Sequence, residues 1–338
     1  MAFASNADQI QAQVLMTLAA LSYQAENPLL GETVAHHADR IRDAITQQLA
    51  HPDYATQGQW DVVWGPGLSL DQSNMLYVAK KKNAAVYAVS IRGTDPLFIR
   101  DWVEDLKVIG LVHFPFTKGG DPTVKVADGA LVGLTTLIGL TDQTTYAAPN
   151  PAAGTKLEDF LRTMAFQTPA GIEVHVTGHS LGGCLASEVA AWLAFQSPQW
   201  QQIPGPVKIR AFTFAAPSAG NDKFAKYCNQ LFPDSYRVFD TLDVVPNAWA
   251  TLETIKTYYR PAPLCPELLK VAIDADNLIV KPMGYTQAFI AVDLPGVVIN
   301  PAAGDPLQAF MAQILSQHDS NNYLTLLKAA PIKPLFAV

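Results

Sequence analysis

The residues best suited to chemistry in this chain are Gly178-His179-Ser180-Leu181-Gly182, which close an extended run at 173–177 and open an alanine-rich stretch reaching Leu193. Residues 173–177 alternate polar and apolar as a strand does, while Leu185, Val189, Trp192 and Leu193 share one helical face. A strand that turns into a helix within so few residues forces Ser180 into a strained backbone conformation. It also leaves no room for side chains two positions to either side. Gly178 and Gly182 supply that room. The pattern is that of a nucleophile elbow, with Ser180 as the nucleophile and His179 inside the turn.

A serine hydroxyl attacks poorly at neutral pH, so it needs a base within hydrogen-bond reach and a carboxylate to orient that base. Where a serine occupies such an elbow, the acid and then the histidine follow it in the chain. Of the seven histidines, His318 alone lies after Ser180. The acid is left open, because the run at 236–239 delivers both Asp240 and Asp243 to the carboxyl end of a strand. Asp274, Asp276, Asp293 and Asp305 have weaker strand patterns before them.

The elements that must position these groups follow from hydrophobic period. Residues 8–22 and 33–50 carry apolar stripes of packing helices. His36 and His37 on the second, without acidic or cysteine partners at ligand spacing, read as solvated face residues. The runs at 60–68, 74–81 and 84–91 alternate, with turn residues between them, and predict antiparallel hairpins opening a sheet. Residues 95–116 set Leu97, Phe98, Trp102, Val103, Leu106 and Ile109 against Arg100, Asp101, Glu104 and Asp105, an amphipathic helix that either packs on the sheet or forms a lid. Residues 117–160 read as loop around an apolar run at 129–140, and 159–166 as the helix before the elbow strand. Beyond the elbow, strands at 207–214 and 236–239 enclose a helix at 221–231. Residues 260–300 show proline-rich breaks and one strand near 287–293. Helices at 306–315, leading to His318, and at 322–328 close the chain. Strands separated by helices predict one α/β domain over 1–338, with a mostly parallel central sheet, helices on both faces and an antiparallel hairpin region near the N-terminus.

Composition bounds the function. With 338 residues and 49% hydrophobic composition an extensive core is expected. A net charge of -7, with Lys80-Lys81-Lys82 as the one dense basic run, argues against nucleic acid. Cys184, Cys228 and Cys265 have neither disulfide-framework nor metal-ligand spacing, so no metal is expected and Cys184 reads as buried filler. The N-terminus lacks a basic region before an apolar core, and no stretch reaches the roughly 20 apolar residues that span a membrane. Cytoplasmic residence is the default expectation, with signal-less secretion as the alternative.

A wider set of motifs resembles the fungal-type class 3 lipases. These are Ile91-Arg92-Gly93-Thr94, Asp101-Trp102, Asp105-Leu106, the elbow with Gly183, Phe214-Ala215-Ala216-Pro217, Gly220-Asn221, Phe224-Ala225, Arg237-Val238, Asp243-Val244-Val245-Pro246, and His318 with Tyr323-Leu324. The resemblance covers about residues 75–255 and the surroundings of His318. It implies the α/β-hydrolase fold, Ser180 as nucleophile, Asp243 as acid, His318 as base, and Thr94 with Leu181 as backbone donors of an oxyanion hole. It also implies a lid helix at about 95–112 bearing Phe98 and Trp102. The sequence departs from the family in a longer turn between Thr94 and Trp102. It has Ala127-Asp128-Gly129-Ala130 where the family commonly has a histidine before Gly-Phe. The long separation of Asp243 from His318 makes room for a cap or flap at about 260–310. The implied activity is carboxylic ester hydrolysis without cofactors, a triacylglycerol lipase acting on acylglycerol or other lipid esters at a lipid–water interface. A phospholipase A1 or galactolipase, a lidless esterase, and a non-catalytic lipid-binding protein are the alternatives.

Overall fold

The computed structural model describes residues 2–93, 110–145, 152–200, 204–299 and 305–333, and the site is set by one seven-stranded sheet. Its strands are β1 (Trp60–Leu68), β2 (Met75–Lys81), β3 (Val86–Ile91), β6 (Ile172–His179), β7 (Val207–Phe214), β9 (Tyr236–Asp240) and β11 (Ile290–Leu294), adjacent in that order. The first two pairings are antiparallel and the other four parallel. Gly178 lies opposite Ile91 on one side and Thr213 on the other. The residue after β6 is therefore delivered to the carboxyl edge of the sheet, where crevices form in parallel α/β folds.

Both faces are covered, which is why the alternation along β6 does not separate buried from exposed. Val174 and Val176 pack with Leu185 and Val189 of α5 (Leu181–Gln196), and with α3 (Asp128–Gly139) and α4 (Leu157–Phe166). His175 and Thr177, on the opposite face, are equally buried. There Tyr77, Phe212 and Val238 meet α1 (Asn6–Leu21), α2 (Val34–Leu49) and α9 (Ser320–Leu326). The remaining helices are α6 (Asp222–Leu231), α7 (Glu267–Val280) and α8 (Pro306–His318). Side-chain caps start several of them: Ser5 accepts from the Asp8 amide, Thr33 from His36 and Asn221 from Phe224.

Five expectations change. His37 is buried, with its ring nitrogens on the Ala25 carbonyl at 2.8 Å and on the Gln72 side chain, because two loops fold over α2; His36 stays exposed. A second sheet of short strands, β10 (Tyr285–Thr286), β8 (Gly220–Asn221), β5 (Lys125–Ala127) and β4 (Leu111–His113), crosses regions where no strand was expected, 111–113 having read as helix and 125–127 as loop. Residues 94–109 lie outside the described residues, and since Leu111–His113 is a strand, the amphipathic helix does not extend to 112 or 116. The apolar run at 129–140 is α3, and α7 fills a stretch whose prolines had read only as breaks. Among the described residues no helix is long and apolar enough to cross a membrane.

One residue of α5 works against stability. Glu188 is fully buried and neither carboxyl oxygen has a hydrogen-bond partner among the described residues. Burial holds its carboxyl well above the ordinary 4.5, in the company of Cys184, Cys228 and Tyr285. The unfolded chain ionises Glu188 above about pH 4.5 while the folded chain resists, so this residue costs more stability as pH rises. Glu188→Leu is expected to raise stability by about 1–3 kcal/mol at pH 8, a gain that shrinks towards pH 5. Thermal melts at both values check this, and a gain independent of pH would contradict it.

Candidate active site

Ser180 joins β6 to α5 with φ 61° and ψ -132°, a conformation that side chains rarely adopt. It is pinned from both sides: its N–H donates to the Phe214 carbonyl of β7 at 2.9 Å, and its carbonyl accepts from Gly183 at 2.9 Å. The flanking glycines are obligatory. A Cβ on Gly178 would stand 2.2 Å from the Gly182 carbonyl oxygen, and one on Gly182 2.3 Å from that of Ile91. The end of β3 lies directly on this turn, since a Cβ on Gly93 would meet Tyr23 Oη at 2.3 Å, the His179 carbonyl at 2.5 Å and Ser180 Cβ at 3.0 Å. Leu181 opens α5, so its N–H is among those an α-helix leaves unpaired, and the positive end of the helix points to the same place. Thr94, Phe98 and Trp102 lie outside the described residues.

The groups from the other end of the chain meet at this edge. His318 is the last residue of α8, and Asp243 sits in the turn after β9. His318 Nδ1 and Asp243 Oδ2 are 2.7 Å apart, both buried. A carboxylate only accepts, so Nδ1 carries the proton and Nε2 is left as the acceptor. That Nε2 is buried and has no partner among the described residues. Asp243 is held by two further donors, the Tyr323 hydroxyl to Oδ2 at 2.8 Å and the Val245 amide to Oδ1 at 3.0 Å. The His318 ring lies against the elbow itself, its centroid 4.7 Å from that of His179. His179 in turn meets the Tyr23 hydroxyl through Nδ1 at 3.0 Å. Burial first, and the neighbouring His318 second, hold His179 well below the usual imidazole range, so it is a neutral wall.

Asp240, the other acid that the sequence left open, faces away from His318. Its Oδ1 accepts from the Leu242 amide at 2.8 Å and its Oδ2 from Asn322 Nδ2 at 3.0 Å, while its own N–H donates to the Tyr323 hydroxyl at 3.0 Å. Burial pushes its carboxyl up to about 6. Tyr323 therefore bridges the two acids. Tyr23 was not anticipated as part of the site, because nothing in its local sequence distinguishes it from the end of a packing helix. Cys184 is buried, and no group of three His, Cys, Asp or Glu among the described residues could hold a metal ion.

With this geometry in view, comparison with known proteins supports the class 3 lipase family. The family model described as Lipase (class 3) matches residues 88–252, which include Ser180 and Asp243. Over that region the chain is similar to the class 3 lipases, the family its motifs resemble. Among solved structures, M37 lipase is similar with a TM-score of 0.73 at 25% identity, over 96% of this chain and 92% of that one. A mutant form of MDLA from Penicillium cyclopium shares the fold, with a TM-score of 0.50 at 16% identity over 89% and 83%. Lipase ZK262.3 of Caenorhabditis elegans is 41% identical over 90 residues, which is 27% of this chain and 24% of the relative. The chloroplastic phospholipase A1-Igamma2 of Arabidopsis thaliana is 26% identical over 216 residues, 60% of this chain and 39% of the relative. The chain thus spans between a quarter and two fifths of the length of these two relatives.

Proposed function

We propose that this chain is a class 3 lipase that hydrolyses carboxylic esters of lipids, acylglycerols foremost, through an acyl-enzyme on Ser180. The observation that carries the reading is the buried, unpartnered Nε2 of His318, on an imidazole fixed by Asp243 and packed against the elbow. Ser180 Oγ attacks the ester carbonyl as its proton passes to His318 Nε2, and Asp243 stabilises the imidazolium. The tetrahedral oxyanion is received by the N–H groups of Leu181 and Thr94. Collapse expels the alcohol, which takes the proton from His318. Water then repeats the sequence on the acyl-enzyme and releases the fatty acid. The nucleophile, base and acid are all side chains, so these steps call for no cofactor. Phe98 and Trp102 belong to the lid of this reading, which opens at a lipid–water interface because the interface binds the open state better.

A second reading, phospholipase A1 activity, is favoured by the likeness to the Arabidopsis thaliana phospholipase A1-Igamma2 and differs only in how the head group is received. The test is hydrolysis of nitrophenyl esters over several acyl lengths, followed by triacylglycerol and phosphatidylcholine, with Ser180→Ala beside the wild type. Hydrolysis of no ester above the Ser180→Ala rate would reject the function. Release of fatty acid from phosphatidylcholine faster than from triacylglycerol would select the second reading.

A further inference from the structure

Exposed large hydrophobic side chains are unevenly spread over this molecule. Of the sixteen among the described residues, nine lie between Leu264 and Leu307, a concentration that calls for a surface purpose rather than chance exposure. Four of the nine belong to α7, and a fifth, Leu264, precedes it by three residues. Leu268, Val271, Leu278 and Ile279 fall on one arc of the helix, opposite the arc of Leu269, Ile273 and Val280 that packs inward, and Leu264 is exposed just before its start. Leu268 is 81% and Leu278 79% exposed, while Ile273 and Val280 are fully buried. The helix has an apolar face in the core and a second apolar face in solvent, with its charges between them.

We propose that the outer face of α7 is a docking surface for an uncharged or zwitterionic lipid surface, separate from the lid, that brings the carboxyl edge of the sheet to the lipid. The inference rests on the ester-hydrolase reading, because that reading places the substrate in a lipid aggregate. Position supports it. α7 is fastened to the 3-10 turn Leu252–Thr257 by Lys256 on Asp274 and by Asn277 Nδ2 on Glu253 at 3.0 Å. That turn follows directly from the turn holding Asp243, and Tyr259 ties it back through the Leu242 carbonyl at 3.0 Å. Further along, Val297 and Ile299 are also exposed, on a strap that the buried Gln313 and Gln317 of α8 hold by its backbone. Both apolar stretches therefore lie on the chain between Asp243 and His318, attached to the elements that carry them.

Charge selects the kind of surface. Charge around the stripe balances, with Lys256, Arg260, Lys270 and Lys281 matched in number by Glu253, Glu267, Asp274 and Asp276, and with Lys270 paired to Glu267 at 2.6 Å and Lys256 to Glu253 at 2.8 Å as well as to Asp274. A helix that attracted anionic lipid would present a surplus of cations along its apolar face, and none is present here. Here apolar burial drives the contact, so attachment is insensitive to salt.

The experiment is flotation of the full chain with phosphatidylcholine-coated triolein droplets. The triple variant Leu268→Ser, Val271→Ser, Leu278→Ser is expected to bind at least about tenfold more weakly, while turning over a soluble short-chain ester at the wild-type rate. The pair Val132→Ser with Phe166→Ser, equally exposed elsewhere, is expected to bind like the wild type, and 0.5 M salt is expected to leave wild-type binding unchanged. Wild-type flotation of the triple variant overturns the proposal, as does release of the wild type by salt. So does a wild-type dimer in solution that the triple variant turns into a monomer with droplet binding intact. A protein that floats through α7 but hydrolyses no ester keeps the docking surface and rejects the function of Ser180, so the two failures are told apart.

Discussion

Ser180→Ala and His318→Ala are each expected to lower kcat for ester hydrolysis by at least about a thousandfold, with little change in folding. Ser180→Ala removes only the hydroxyl, and alanine fills the same strained position between Phe214 and Gly183. His318→Ala leaves the buried Asp243 carboxylate with its Tyr323 and Val245 donors, so no charge is stranded. The losses have one origin, transfer of a proton from Ser180 Oγ to His318 Nε2, and so they do not add. The double variant Ser180→Ala, His318→Ala is expected to be no slower than either single one. Initial rates on a soluble nitrophenyl ester, with melting curves for each protein, make the measurement. Near-wild-type turnover in either single variant would end the proposed mechanism, and additive losses would show that the two residues act separately.

How much of this arrangement could be read from the sequence depended on the range of the signal. Gly178 and Gly182 announce a turn that only glycine fits, and the structure gives the reason in the backbone atoms a Cβ would strike. His318 followed from chain order, and it lies beside Asp243. The choice between Asp240 and Asp243 was not legible in strand pattern, because both leave β9 at the same edge. It turns on side chains from α9, Tyr323 and Asn322, some eighty residues away. Tyr23 was silent for the same reason. His37 was misread because its partners, Gln72 and the Ala25 carbonyl, come from loops that no helical period reveals. The strands of the second sheet have two or three residues each, too few to show a period of two. The prolines before α7 concealed a helix whose stripe, once seen, is regular.

Asp243→Asn is expected to lower kcat by about a thousandfold or more, and Asp240→Asn by less than about tenfold. Three donors converge on Asp243: His318 and Tyr323 on Oδ2, and the Val245 amide on Oδ1. An asparagine offers one acceptor and one donor in that place. If its oxygen keeps Val245, its NH₂ faces His318 and selects the tautomer with Nδ1 bare and Nε2 protonated, which cannot take the proton of Ser180. If its oxygen keeps His318, two buried N–H groups oppose each other at Val245. Asp240 faces only Leu242 and Asn322 with its carboxylate, and Asn322 Nδ2 also donates to the Gln317 carbonyl at 3.1 Å, so an asparagine at 240 gives up the contact with Asn322 but disturbs no group that touches His318. Stability separates the two sites further. Asp240 has a folded value near 6 against 3.8 ordinarily, so its ionisation costs stability progressively from about pH 4 to 6 and fully above that. Asp240→Asn removes this cost, and its melting temperature is expected to gain on the wild type as pH rises through that window. Equal losses of kcat in the two variants, or a heavier loss in Asp240→Asn, would move the role of acid from Asp243 to Asp240.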